Sequence, residues 1–379
     1  MRRAAMYIML TLWTVAAFGA GRSERVEVRI KNPIDIGRNS ESVRVEWDVV
    51  ARRTGAAPAD VVVTDARGRQ IPSQVLYEGK TEPQALLFQA DVASRGTARY
   101  YVARGVRDDY PVRAGGRYVP ERLDDYAWEN NLIAFRLYGP ALRDPVAPGI
   151  DVWVKSTDKM VIDKWYAKPG GLYHINDGEG MDCFKVGSTL GCGASAPVVD
   201  GHLALYGNYA TWQTLDNGPL RTTVRLTYGP SVAGQTQVAL EKVISLDANT
   251  RFNRMIDRYT GSFTSMNIAA GLVLHGDAET VTDNSPHPSY ACVVEQASDS
   301  KDPVRDGKIY MAVVMPASTD CRRVDDHLAL VAGVAPGREL HYLMGAGWSQ
   351  GGITDTAMWG ALTRQEMMKM RSPLKVTVK

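Results

Sequence analysis

Three neighbouring stretches decide the fold: RTTVRLTYG at 221–229, QVALEKVISLDAN at 237–249 and NRMIDRYTG at 253–261. In each, apolar and polar residues alternate with a period of two, the mark of a strand with one face packed and one face wet. The same pattern recurs in LIAFRLYG (132–139), IDVWVKS (150–156), HLALYGNYATWQTL (202–215), NIAAGLVLHG (267–276), YMAVVM (310–315), HLALVAG (327–333) and LHYLMGAGWS (340–349). So many strands between 118 and 379 predict two large antiparallel sheets packed face to face. A single helix is predicted at 354–370, with Thr354 or Asp355 as its N-cap.

Upstream, residues 24–113 carry shorter alternating runs: VEVRI (26–30), VRVEW (43–47), VVVTD (61–65), ALLFQADV (85–92) and ARYYVA (98–103). Turn signals such as Asp65-Ala66-Arg67-Gly68 and Ser94-Arg95-Gly96 separate them. This region reads as a small immunoglobulin-like β-sandwich, and the Pro- and Gly-rich stretch 108–120 reads as a linker. The chain is therefore all-β, and no internal repeat indicates a propeller or solenoid.

With 379 residues, 45% of them hydrophobic, the chain is long enough for two domains. A formal charge of +2 gives no field of the kind that marks a nucleic-acid binder. Residues 1–20 read as a secretory signal peptide: Arg2 and Arg3, an apolar run, then small residues with a cut near Gly19 or Ala20. The run falls short of the roughly 18–20 residues that span a bilayer. The mature chain is expected to be periplasmic or secreted, without membrane attachment. An oxidising compartment favours disulfides, and the expected pairs are Cys183 with Cys192 and Cys292 with Cys321.

YHINDGEGMDCFKVGSTLGCGAS (173–195) concentrates the candidate chemistry in a glycine-rich insertion between strands. His174 lies there with Tyr173, Asp177, Asp182 and Lys185 close in sequence. Asp177, Glu179 and Asp182 also suit calcium, although their spacing departs from the EF-hand and a solvated acidic turn explains them equally. A second group is Trp128-Glu129-Asn130-Asn131 at a strand mouth. Arg136 on the following strand either faces solvent or clamps a carboxylate. His275, with Asp277 two residues on, ends an apolar strand. Most of the tryptophans, Trp153, Trp165 and Trp359 among them, read as core, whereas Trp212 and Trp348 have the polar and glycine neighbours of a sugar-stacking surface. H-E-x-x-H and Walker motifs are absent, which removes zincins and nucleotide enzymes.

The segments DDYAWENNLIAFRLYGPAL (124–142), GIDVWVKS (149–156), YHINDGEGMDCFKVGSTLGCGA (173–194) and GAGWSQGGI (345–353) resemble the bacterial secreted family known as domain of unknown function 4861. Asn131 stands where that resemblance leads one to expect aspartate. The resemblance implies a large domain similar to the galactose-mutarotase-like supersandwich and a place in polysaccharide degradation. It further implies β-elimination at a uronic acid of an oligosaccharide, as a dehydratase or lyase that leaves a 4,5-unsaturated sugar. That chemistry needs a cation for the carboxylate, a base for the C5 proton and an acid for the departing oxygen. Arg136 or Lys185 is the candidate cation, His174 or His275 the base, and Tyr173 or the remaining histidine the acid. Asp182, Trp212, Trp348, Glu129 and Asn130 are candidate substrate contacts, and no cofactor is required. The rivals are a non-catalytic glycan-binding protein and a glycoside hydrolase using paired carboxylates such as Glu129 and Asp182.

Overall fold

The computed structural model describes residues 25–143, 146–283 and 285–379; the expected signal peptide lies outside them. The alternating runs do form strands. Arg221–Ala233, Thr236–Asp247 and Phe252–Gly261 lie side by side, with Val243 opposite Arg225 and Ile256 opposite Val243. They belong to an eight-stranded antiparallel sheet, the broad sheet. Facing it is a layer made of two five-stranded sheets joined by a bridge between Ile150 and Gly191. Ile133, Phe135, Val152, Val154, Leu272 and Leu330 from that layer meet Leu226, Leu240, Ile244 and Met344 of the broad sheet in one continuous apolar core. The expected strand at 202–215 is interrupted, forming His202–Leu203 and then Thr211–Asn217.

The small sandwich is also present, with Val28, Ile30, Val45, Phe88 and Val102 in its core. It differs from the expectation in two ways. After Glu46 the chain turns into a helix, Trp47–Thr54, which buries Trp47 and Val50 and closes at Gly55 in the left-handed region (φ 61°). The chain's last strand, Lys375–Val378, pairs with Val26–Lys31, so the end of the chain belongs to the small sandwich and not to the unit expected at 118–379. The large unit in turn begins with Ala114–Val119, inside the expected linker. The predicted helix is found at Thr356–Arg371, capped by Asp355, whose carboxylate accepts from the Met358 N–H at 2.8 Å. It covers the outer face of the broad sheet through Trp359, stacked on Phe252 at 5.3 Å.

The expected disulfides are not formed, and all four cysteines are free thiols. Cys292 lies under the C-terminal helix, against Thr363 on the outer face of the broad sheet. Cys321 packs against the core on that sheet's other side, so the sheet separates the two. Cys183 and Cys192 both point into the central core but remain separate. Burial pushes the Cys292 thiol up to about 12 and the Cys321 thiol up to about 11, which keeps them unreactive. Thiol titration of the unreduced protein should therefore find four thiols after denaturation and almost none in the native state. Two or zero thiols in the denatured chain would contradict this packing.

Candidate functional site

The site is built on the sheet formed by Ala114–Val119, Asp125–Asn130, Ile133–Leu137, Ile150–Lys155 and Gly180–Asp182. Alternation sends Phe135, Val152 and Met181 into the core and sends Asp125, Glu129, Arg136, Asp151, Trp153, Lys155 and Asp182 to the opposite face. That face is not wet. Residues 156–179 fold over it as a cap containing a short helix, Ile162–Tyr166, and a 3-10 segment, Pro169–His174. Gly180 is where the cap rejoins the sheet: its φ is +127°, and a Cβ there would fall 2.0 Å from the Val154 carbonyl oxygen.

Arg136 is 2% exposed, which overturns the solvent-facing reading. It meets Asp151 at 2.5 Å and Asp182 at 2.9 Å through Nη2, with Asp125 3.9 Å from Nη1. Tyr138 Oη accepts a hydrogen bond from the guanidinium at 3.0 Å. One cation cannot balance three buried, ionised carboxylates, so protons make up the difference. Burial pushes Asp125 up to about 6 against the opposing pull of Arg136 and Arg122. Burial likewise raises Asp151, and raises Asp182 further with help from the neighbouring Asp151 charge. Arg136 is thus occupied by protein acids and is not free to clamp a substrate carboxylate.

The expected contacts Glu129 and Asn130 are also engaged within the protein. Glu129 accepts from Lys155 Nζ at 2.7 Å and from the backbone N–H groups of Val161 and Ile162, which fastens the cap to the sheet. The Asn130 amide donates to the carbonyls of Asp247 and Thr250, and its oxygen accepts from the N–H groups of Leu132 and Ile133. Since Glu129 and Asp182 are both sealed, they do not form the open carboxylate pair a hydrolase would need. Trp348 is fully buried, its indole N–H donating to the Asp306 carbonyl, whereas Trp212 is 41% exposed and stacked on Tyr118 at 4.7 Å. In the acidic loop, Asp177 pairs with Lys168, and Glu179 with Lys159 and Lys164, an arrangement of ion-paired turn residues.

His174 sits at the rim of this assembly, its side chain 36% exposed. Its Nδ1 lies 3.0 Å from the Asp182 carbonyl oxygen, 3.6 Å from the Asp182 carboxylate and 3.8 Å from that of Asp299. With Nδ1–H donated to the carbonyl, the Nε2 lone pair is free to take a proton. Tyr173 packs beside it, ring centroids 4.5 Å apart, and stacks on Trp153 at 5.3 Å. Arg136, Asp182, Tyr173 and His174 therefore form one assembly. Of the other two candidates, Lys185 is exposed and its backbone N–H donates to Ser298, the neighbour of Asp299, whereas His275 has its Nδ1 3.0 Å from Glu295 and its ring edge-on to Phe184. Sequence reasoning missed Asp125, Asp151, Arg122, Tyr166 and Asp299. For Asp151 a signal was present, since it shares the alternating face of its strand with Lys155.

A family described as "Domain of unknown function (DUF4861)" matches residues 30–376. Among known proteins, "Uncharacterized protein P7" of Formosa agariphila is 30% identical over 381 residues, covering 94% of this chain and 94% of that protein. Among solved structures, an alpha-mannosidase from Enterococcus faecalis V583 superposes with a TM-score of 0.55 at 9% identity, over 94% of this chain and 46% of that one. A protein in glycosyl hydrolase family 38 from Enterococcus faecalis gives 0.54 at 9%, over 94% and 48%. The chain spans about half the length of these solved structures, and the likeness is one of fold.

Two measurements test the charge cluster. Arg136→Leu should lose about 3–5 kcal/mol in chemical denaturation, because it leaves buried carboxylates without their cation. Asp125 is more basic in the fold than in the unfolded chain, so its contribution to stability is present below pH 4 and is lost as pH rises through about 6. Asp125→Asn should therefore flatten the stability profile between pH 4 and 6, leaving the variant more stable at pH 7 by up to about 2–3 kcal/mol.

Proposed function

The chain belongs to the family described as Domain of unknown function (DUF4861), and on that premise we propose that it is an exported carbohydrate-active enzyme. It acts by β-elimination at a uronic acid of an oligosaccharide. The observation that carries this reading is His174, whose Nδ1 is tied to the Asp182 carbonyl and whose other nitrogen is free at the rim of the capped sheet. A histidine held this way is suited to proton abstraction. Of the carboxylates, Asp125, Asp151 and Asp182 lie sealed beneath it, so the chemistry open to substrate is that of an imidazole rather than of a carboxylate pair. The carbohydrate reading also draws on what the two solved neighbours are called, and the export reading on residues 1–20.

In the proposed step His174 Nε2 takes the C5 proton of the uronate. The C5–H electron pair becomes the C4=C5 double bond, the C4–O bond breaks, and the departing oxygen takes a proton from Tyr173 as the neighbouring acid. Water leaves in a dehydratase and the next sugar's hydroxyl leaves in a lyase. Asp299, 3.8 Å from Nδ1, faces the imidazolium that forms.

The test is the ultraviolet absorbance of the unsaturated uronate formed from a panel of uronic-acid oligosaccharides. His174→Ala should lower kcat by about 10²–10⁴-fold and leave KM nearly unchanged. A panel with no new chromophore, or a variant with unchanged kcat, would overturn the assignment.

A further inference from the structure

Where the broad sheet and the site's sheet meet at their edges, one tryptophan is left in the open. Thr211–Asn217 is the outermost strand of the broad sheet and Ala114–Val119 the outermost strand of the facing one. Between them the Trp212 and Tyr118 rings stack, centroids 4.7 Å apart and planes 19° from parallel. Tyr126 leans on the indole at 5.9 Å, and its hydroxyl is hydrogen-bonded to that of Thr214 at 2.8 Å. Every other tryptophan among the described residues is buried, yet Trp212 is 41% exposed. With Tyr118 flat against one face, the surface that solvent reaches is the other face and the rim of the indole.

The same stack carries a carboxylate. The Tyr118 hydroxyl donates to Asp124 Oδ1, while Asp124 Oδ2 has no hydrogen bond among the described residues. No lysine, arginine or histidine nitrogen among them comes within 4.0 Å of this carboxylate. Arg117, beside Tyr118 in the chain, is spent on Glu121 and Asp163. The turn that holds Asp124 is rigid. Leu123 and Asp124 both adopt left-handed φ, at 52° and 63°, and such strain in residues other than glycine persists only where the surroundings enforce it. Tyr209 donates to the Asp124 carbonyl, and a Cβ on Gly139 would fall 1.8 Å from that carbonyl oxygen.

This surface is separate from the His174 site. Tyr118 lies opposite Tyr126, and Tyr126 opposite Leu137, on the core-facing side of their sheet. Trp153 and Asp182 occupy the other side, and Asp182 belongs to the far edge strand, four strand spacings or about 19 Å away.

We propose that Trp212 and Asp124 form a second binding site, one for a neutral sugar ring of a glycan. It goes beyond the elimination reading and does not depend on it. The C–H groups on a pyranose face carry partial positive charge and stack on the negative face of an indole. Adjacent sugar hydroxyls donate to a carboxylate in charge-assisted hydrogen bonds. A uronate would set its own carboxylate against Asp124 with no cation between them, so charge selects for neutral sugars.

The experiment is affinity electrophoresis of the full chain in gels containing arabinoxylan, galactomannan, arabinogalactan or polygalacturonate. At least one neutral glycan should retard the wild type. Trp212→Ala should raise the Kd for that glycan by about tenfold or more, Trp212→Tyr should recover part of the loss, and Asp124→Asn, which keeps an acceptor for Tyr118, should weaken binding severalfold. A melting temperature close to wild type shows that the variants are folded; if Trp212→Ala is not, Trp212→Leu and Asp124→Asn carry the test. No retardation by any neutral glycan, retardation unchanged in the folded Trp212 variants, or a Trp212-dependent preference for polygalacturonate overturns the assignment. His174→Ala should leave the retardation unchanged, so the gel reads the second site whether or not elimination occurs. A rise in KM for a short uronate oligosaccharide in Trp212→Ala would make the two surfaces one site and contradict their separation.

Discussion

A single guanidinium, that of Arg136, gathers Asp125, Asp151 and Asp182 on a sheet face that water does not reach. The geometry of the site depends on this contact. An arginine in mid-strand is expensive to bury alone, and three carboxylates are more expensive still; together, with protons making up the surplus charge, they are tolerated. The cluster draws the strands Asp125–Asn130, Ile133–Leu137, Ile150–Lys155 and Gly180–Asp182 onto one register. Asp182 is its outermost member, and its backbone carbonyl fixes His174. A second buried pair, Lys155 with Glu129, does the same for the cap through the N–H groups of Val161 and Ile162. The exposed imidazole is thus the visible end of a buried polar layer.

The architecture was legible because alternation reports which face of a strand is buried. Arg221–Ala233, Thr236–Asp247 and Phe252–Gly261 show it clearly, since their outer faces remain polar. It was less informative where both faces are covered. Asp125–Asn130 is buried at all six positions, and its mixture of Asp, Tyr, Trp, Glu and Asn does not announce a strand. Helix Trp47–Thr54 was hidden because VRVEW continues the preceding strand's rhythm up to the residue where the chain turns. The closing strand Lys375–Val378 pairs with the first strand of the chain, a contact that no local pattern encodes.

The site was partly legible. Tyr173, His174 and Asp182 stood out because polar and aromatic residues crowd a glycine-rich insertion, and the structure brings them together with Arg136. The roles were harder to read than the residues. Arg136 looked like a substrate clamp because the sequence could not show that Asp151, fifteen positions on, lies directly opposite it in register. Glu129 and Asn130 looked available because backbone N–H and carbonyl partners leave no trace in side-chain spacing.

The buried layer supplies rigidity, the cap supplies enclosure, and the rim supplies an imidazole with one nitrogen free. On the proposed reading the work of elimination is divided between His174 as base and Tyr173 as acid. The most direct measurement is proton NMR of the products formed from a glucuronate-terminated oligosaccharide in deuterated water. The account predicts a vinylic H4 signal and loss of the H5 signal, both absent with His174→Gln. New reducing ends without a vinylic signal would indicate hydrolysis and contradict it.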